Sequence, residues 1–434
     1  MNKQTKPSGI DWIGDIPASW ECSKVKFCFS LVNGSTPESG DYDCWDGDIR
    51  WITPADMSDT GTISQGERFI TKYGYNSCGT TLLPVGSIVI SSRAPIGKIN
   101  ITTTELCTNQ GCKSLTRKGD NRYFYYLLLA GQHELPLLGR GTTFLELSTY
   151  DLNEFSVVIP TEDEQQAIAD FLDKECAQID SIIADLEKQI ELLQQYKKSL
   201  ITETVTKGLD KSVPVKDSGV EWIGQIASSN YICRLKYLTT IKDGTHDTPA
   251  YVDEAEDTYP LITSKNIDYQ TKQINFSSAN HISKSDFEAI YKRSDVEYGD
   301  IIMPMIGTIG NPVIVNTHKK FAIKNVALFK TGFDFVQAKY IFYQFYSNFL
   351  SEQFSLMSRG GVQSFVSLEV LGNLIFVDCN QDQKKKIVKY LDNSCEQIDE
   401  LIIGKQNQIS IVQQHKKSLI YEYVTGKKRV KEVQ

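Results

Sequence analysis

The chain has 434 residues, 41% of them hydrophobic and 23% charged, with 46 Lys and Arg against 54 Asp and Glu for a formal net charge of −8. That length exceeds one ordinary domain and predicts two or three. No run of eighteen apolar residues occurs and the start, MNKQTKPSGI, has no apolar signal core, so a helical membrane span is excluded and a cytoplasmic protein expected.

Ten cysteines and five histidines are scattered without a C-x-x-C pair, which excludes a zinc quartet and predicts reduced, buried thiols. The net charge decides less. Acidic residues gather at 41–48 and 253–257, and basic ones at 384–386 and in Lys427, Lys428, Arg429 and Lys431. A whole-chain average neither requires nor forbids contact with phosphate.

In chain order, GSIVISS (86–92), GKINITT (97–103) and FSVVIP (155–160) carry the β-branched residues of strands, and RYFYYLLLAG (122–131) reads as a short buried helix. A long helix follows, opened by Thr161 as N-cap with Glu164 three residues on. Cys176, Ile183 and Ile190 fall at heptad position a, and Ile179, Leu186, Leu193 and Leu200 at d. TKGLDKSVPVKDS (206–218) reads as a linker. Strands are expected at 300–306, 311–317, 321–330 and 374–377, and a helix at 337–350. A second long helix carries Cys395, Ile402 and Ile409 at a, and Ile398, Val412 and Leu419 at d. Gly404 and Lys405 interrupt its stripe, where a mid-helix Gly costs about 1 kcal/mol, and leave its continuity open. Each helix of about 40 residues would be roughly 60 Å long.

The chain also repeats itself. SGIDWIG (8–14) returns as SGVEWIG (218–224), CAQIDSII (176–183) as CEQIDELI (395–402), and YKKSLI (196–201) as HKKSLI (415–420). Trp12 and Trp222 lie 210 positions apart, Gly86 and Gly299 213, Asn109 and Asn325 216, and Arg140 and Arg359 219. A duplicated unit with small loop insertions is expected, its ends alike and its middle divergent. The fold class predicted is α+β: two related globular domains, each followed by a long α-helix, with the helices pairing as an antiparallel coiled coil. The boundaries are 1–160, 161–206, 207–380 and 381–434.

Catalytic motifs are absent. There is no G-x-x-x-x-G-K-[ST], G-x-S-x-G, H-E-x-x-H or G-x-G-x-x-G, and no Asn-Pro-Pro-aromatic tetrad. A non-catalytic chain without cofactor or metal is expected. What remains are paired loops of Gly, Ser, Thr and basic residues, each a turn signal in its own right. They are NGSTP (33–37) with DGTHD (243–247), SSRAPIGK (91–98) with MPMIGTIGN (303–311), and GRGTTFLE (139–146) with SRGGVQSF (358–365). Such residues bond phosphate oxygens or read base edges. The DNA-contact candidates in the first copy are Ser35, Thr36, Arg93, Lys98, Arg140, Thr142 and Thr143. In the second they are Thr245, His246, Lys265, Asn266, Thr308, Asn311, Arg359 and Gln363. Arg93 has no basic counterpart, since Met305-Ile306-Gly307 stands there.

With NQGCKSL (109–115), the PIGK turn and EQQAIADFLDKE (164–175) added, the chain resembles the specificity subunit of type I restriction–modification systems over essentially its whole length. The resemblance implies a non-enzymatic protein whose globular parts are target recognition domains, each reading half of a bipartite double-stranded DNA site. It implies helices that set the spacer and dock two methyltransferase subunits. Those partners methylate adenine with S-adenosylmethionine, and a motor–nuclease subunit joins for cleavage. A coiled-coil scaffold that binds only proteins is the alternative.

Overall fold

Apolar, β-branched runs bounded by turn residues become the central strands of two mixed α/β parts. A computed structural model describes residues 4–93, 95–141, 145–268, 271–307, 309–359 and 365–430; the side chains of 357–359 lie outside that description. The chain divides into two units, one of residues 1–186 with 407–434 and one of residues 187–406. No helix among the described residues is long and apolar enough to cross a membrane.

In the first unit a five-stranded sheet runs in the order Ser30–Asn33, Cys112–Thr116, Ile88–Ser91, Ile99–Thr102, Thr60–Ile63. Ile88, Val89 and Ile90 are buried on both faces, which explains their unbroken apolar run. A three-stranded sheet of Cys107–Thr108, Trp45–Ile52 and Arg68–Ile70 adjoins it. The helix Arg122–Ala130 buries Tyr123, Phe124 and Leu127 beside Trp20 and Leu115. Its Tyr123 hydroxyl donates to the carbonyls of Val158 and Val424, both at 3.1 Å.

The second unit has a four-stranded sheet in the order Thr240–Asp243, Val326–Lys330, Ile301–Pro304, Val313–Ile314. Another orders Tyr251–Val252, Asn280–Ser283, Thr258–Ile262 and Ala322–Ile323. The expected strand 321–330 is therefore two strands in different sheets, because Asn325 turns the chain at φ 52°. The expected helix 337–350 is likewise two, Phe335–Phe345 and Asn348–Arg359, with the Ser347 hydroxyl capping the second at the Leu350 N–H. The short strands Glu21–Lys24 and Ser156–Ile159 pair in the first unit, as Tyr231–Arg234 and Ile375–Asp378 do in the second.

The long helices span Glu162–Lys207 and Gln381–Val424. The second runs unbroken through Gly404, and Lys405 turns its charge out of the stripe to the side-chain oxygen of Gln189. In the first unit Cys176, Ile179 and Ile183 share a core with Val412, Leu419 and Ile420. Lys416 donates to both oxygens of Asp180, at 2.6 and 2.7 Å. In the second unit Leu200, Ile201 and Val205 share a core with Ile387, Leu391 and Cys395, and Lys197 grips both oxygens of Asp399. All ten cysteines are free thiols, with Cys107, Cys176 and Cys395 pushed up to about 11 by burial and Cys112 to about 12.

Candidate nucleic-acid interface

The three loop pairs singled out in the sequence converge within each unit, and main-chain hydrogen bonds bring them together. In the first unit the Ser35 N–H donates to Thr108 O at 2.9 Å, and the Ser92 N–H to Gly111 O at 2.8 Å. The Leu147 N–H reaches Ser92 O at 3.0 Å. In the second unit the Thr245 N–H donates to Ile323 O at 3.0 Å, Met305 to Asn325 O at 3.0 Å, and Val366 to Met305 O at 2.9 Å. These bonds align Asn109 with Lys324 rather than Asn325, since Asn109 and Lys324 donate to the matching carbonyls of Ile52 and Ile262. The repeat register there is one residue shorter than the sequence comparison gave.

Gly34 and Gly244 make this closure feasible. A Cβ on Gly34 would stand 2.0 Å from Asn109 O, and one on Gly244 1.7 Å from Ile323 O. Only glycine lets the backbones approach so closely.

On the first frame the side chains are ionic. Arg93 pairs with Glu146 at 3.0 Å, and Arg140 exchanges two main-chain hydrogen bonds with the same Glu146. The Arg140 guanidinium meets Asp151 at 2.6 Å yet stays 73% exposed, keeping most of its donors free. Asp151 is buried at the start of the helix Thr149–Glu154, whose N-cap hydroxyl, Ser148, bonds its backbone N–H. Lys113 bonds Asn33 and Thr149, and burial holds its ammonium below the ordinary lysine range. Ser35 also accepts from the Trp51 indole N–H, and Thr36 bonds Gln110. Lys98 turns inward to the carbonyls of Pro54 and Met57, at 3.0 and 2.7 Å. It is a brace for the loop rather than an open cation.

On the second frame Ile306 and Phe365 take the bridging places of Arg93 and Glu146. His246 stands between Asp243 and Asn325, 2.9 Å from each, with its ring edge-on to Phe365. Buried Asp243 also accepts from the Arg293 Nε at 2.8 Å. The Thr245 hydroxyl bonds Asp247 O at 3.3 Å. Lys265 is exposed, whereas the Asn266 side chain is buried and accepts from the Thr263 backbone and hydroxyl, both at 2.9 Å. Asn266 shapes the turn Ser264–Asn266 as Asp56 shapes the turn after Thr53. Asn311 is half-buried after Gly310. Thr142, Thr143, Thr308, Gln363 and the Arg359 side chain lie outside the described residues.

Glu146, Asp151, Lys113, Asp243 and Arg293 were not among the residues proposed from the sequence, although Glu146 and Asp243 stand inside the quoted loops 139–146 and 243–247. Lys113 lay inside a quoted motif, and Arg293 ends a helix, Lys284–Ser294, whose Ser283 cap and Asp286 were legible signals. No group of His, Cys, Asp and Glu among the described residues could hold a metal ion.

Residues 17–192 match the family model described as the type I restriction modification DNA specificity domain. The chain is 26% identical over 444 residues, covering 97% of itself and 96% of the relative, to the type I restriction enzyme MjaIX specificity subunit of Methanocaldococcus jannaschii. It is 28% identical to the EcoR124I/EcoR124II specificity subunit of Escherichia coli over 177 residues, 38% of this chain and 43% of that one. A chain from a solved structure titled for complex assembly and conformational transition of the type I R-M system superposes with a TM-score of 0.65 at 12% identity. That match covers 94% of this chain and 98% of that chain and shows a shared fold. The protein with two sets of bracketed loops and two long helices thus matches the type I restriction modification DNA specificity domain over residues 17–192 and is similar along nearly its whole length to a type I specificity subunit.

Proposed function

We propose that this chain recognises a bipartite DNA sequence, residues 1–160 reading one half and residues 207–380 the other. The observation that carries this reading is one main-chain frame dressed with different side chains in each unit: Arg93, Glu146 and Arg140 in the first, Ile306, Phe365 and His246 in the second. A common frame offers each domain to duplex in a similar way, while the side chains select different bases. In the first unit Arg93 and Arg140 are the proposed readers, steered by Glu146 and Asp151. In the second they are His246, Arg293 and Lys265. Glu146 would also accept from cytosine N4, and Phe365 would offer an apolar contact in its place.

The helix of residues 161–206 and the helix within 381–434, which also carries a basic tail, are proposed to pair antiparallel, set the spacer and dock two methyltransferase subunits. The Lys416–Asp180 and Lys197–Asp399 contacts support that direction, since rising numbers on one helix meet falling numbers on the other. Chemistry then belongs to the partners, which methylate adenine taken out of the stack, with a motor–nuclease subunit joining for cleavage in the cytoplasm.

The test is the methylome of cells that carry the partner subunits, with this chain present and deleted. Methyl-adenine at a split motif that vanishes on deletion is the expected result. An unchanged methylome would favour the protein-only scaffold.

A further inference from the structure

One surface feature lies outside the loops and occurs in both units at positions 210 apart. It is Lys24-Val25-Lys26-Phe27 in the first unit and Arg234-Leu235-Lys236-Tyr237 in the second. In each, the apolar second residue is fully buried, and its N–H is tied to the carbonyl of Phe155 at 3.0 Å or of Leu374 at 2.9 Å. That anchor drives the aromatic residue two places later outward. Phe27 is 75% exposed and Tyr237 74%. The preceding lysine ammonium stands 5.1 Å from the Phe27 ring centre and 5.6 Å from that of Tyr237.

One acceptor gathers both cations in each patch. Lys24 and Lys26 share the Glu154 carboxylate, and Arg234 and Lys236 share the Asn373 side-chain oxygen, at 3.3 and 3.1 Å. Neither ring fills the protein's own core, yet an aromatic flanked by basic residues stands in both copies while the reading loops differ.

We propose that these two patches dock two copies of one protein, through an apolar pocket rimmed by carboxylates. On the reading given under Proposed function, on which this assignment rests, that protein is the methyltransferase subunit. Exposed aromatics beside basic groups are the composition of interface anchors, where the ring enters a pocket and the cations meet acidic groups around it. A DNA backbone fits less well. The Glu154 carboxylate sits between both ammonium groups of the first patch and would face phosphate, and paired duplex offers the phenyl ring no unstacked base. Repetition of the patch matches a partner bound once per unit, whichever half-site that unit reads.

The test is native mass spectrometry of the full chain co-expressed with the methyltransferase subunit, without DNA, over a dilution series. The wild-type chain should retain two copies. Phe27→Asp and Tyr237→Asp should each weaken one copy at least tenfold, and the double variant should weaken both. Phe27→Tyr should restore wild-type binding, and exposure of both rings predicts unchanged melting. Two copies held by the double variant at wild-type dilution would overturn the docking role. Intact subunit binding with weakened DNA binding would overturn the protein assignment in favour of a phosphate contact. A wild-type chain that binds no methyltransferase would remove the proposed function itself and the partner with it.

Discussion

Lys272 reaches Asp399 at 3.4 Å, so this carboxylate, already gripped on both oxygens by Lys197, serves two ammonium groups. Lys272 sits at a hairpin tip with φ 54°, its charge 5.4 Å from the Tyr346 ring centre, and burial holds its pKa below the ordinary lysine value. The matching ion pair of the first unit, Lys416 with Asp180, instead borders a cleft of about 1610 Å³ lined also by Tyr125, Tyr126 and Leu129. Lys197→Met should therefore destabilise the chain more than Lys272→Met. Removing Lys197 takes away both close bonds to Asp399, whereas removing Lys272 takes away one contact at 3.4 Å, and either change relieves the like-charge contact between the two lysines. With Asp399 partly exposed, the Lys272→Met effect should stay within about 1 kcal/mol. Urea midpoints of the two variants decide the order.

A pH-dependent contribution is expected from Lys330, whose ammonium bonds Asp300 at 2.7 Å, Glu297 at 2.9 Å and the Asp295 carbonyl at 2.7 Å. Burial disfavours its charge, but the two carboxylates outweigh burial and raise its pKa above the ordinary value. A raised lysine pKa means that the folded chain holds the proton more tightly than the unfolded one. The resulting stability is full below about pH 10.5 and is lost as pH climbs through the folded value. Lys330→Met leaves the Asp300 side chain, 2% exposed, without its cation, and should cost about 3 kcal/mol at pH 8. Urea titrations at rising pH should show the gap to wild type closing above pH 10.5.

Arg140→Ala and Arg93→Ala should weaken recognition of one half-site by about 1–3 kcal/mol each if they bond base edges, and leave the other half-site unaffected. Arg93 and Glu146 are both partly exposed and the loop is held by main-chain bonds, so Arg93→Ala should change melting little, whereas Arg140→Ala leaves buried Asp151 without its cation and should lower it. Methylation at limiting enzyme on sites mutated in one half at a time reads the effect. Unchanged methylation by both variants would remove them from the contact set.

Gly34→Ala and Gly244→Ala should each lose more function than an exposed-loop alanine normally does. The new Cβ must displace a carbonyl oxygen of the facing strand, which should cost about 1–3 kcal/mol and pull the loop from its frame. Gly404→Ala is the contrast. Nothing lies within 4 Å of the place its methyl group would take on the open helix surface, so a gain of about 1 kcal/mol is expected. Thermal melts of the three variants compare these directions.

The long helices were legible because heptad spacing and the Thr161 cap are local signals, and the structure carries Glu162–Lys207 and Gln381–Val424 as single helices. The loops were legible as turns for the same reason. Their ionic dress was not, because Arg93 meets Glu146, and Lys113 meets Asn33 and Thr149, through folding of distant segments. Lys98 and Asn266 show the reverse. Residue type suggested open contacts, whereas nearby carbonyls and a turn backbone take up their hydrogen bonds. The split of 321–330 turned on Asn325, whose left-handed backbone interrupts an otherwise apolar run.

The bonds that bracket the loops run from main-chain N–H to main-chain carbonyl, at Ser92, Leu147, Met305 and Val366 alike. None of those bonds asks for a particular side chain at Arg93, Arg140, Ile306 or Phe365. A new residue at Arg93 or Ile306 is thus answerable mainly to its own solvation and to the surface it faces, whereas Phe365 also packs against the core and Arg140 also serves buried Asp151. Such a surface can wander through many sequences while the protein beneath stays folded, so that lineages of this chain can acquire new targets without passing through an unfolded ancestor.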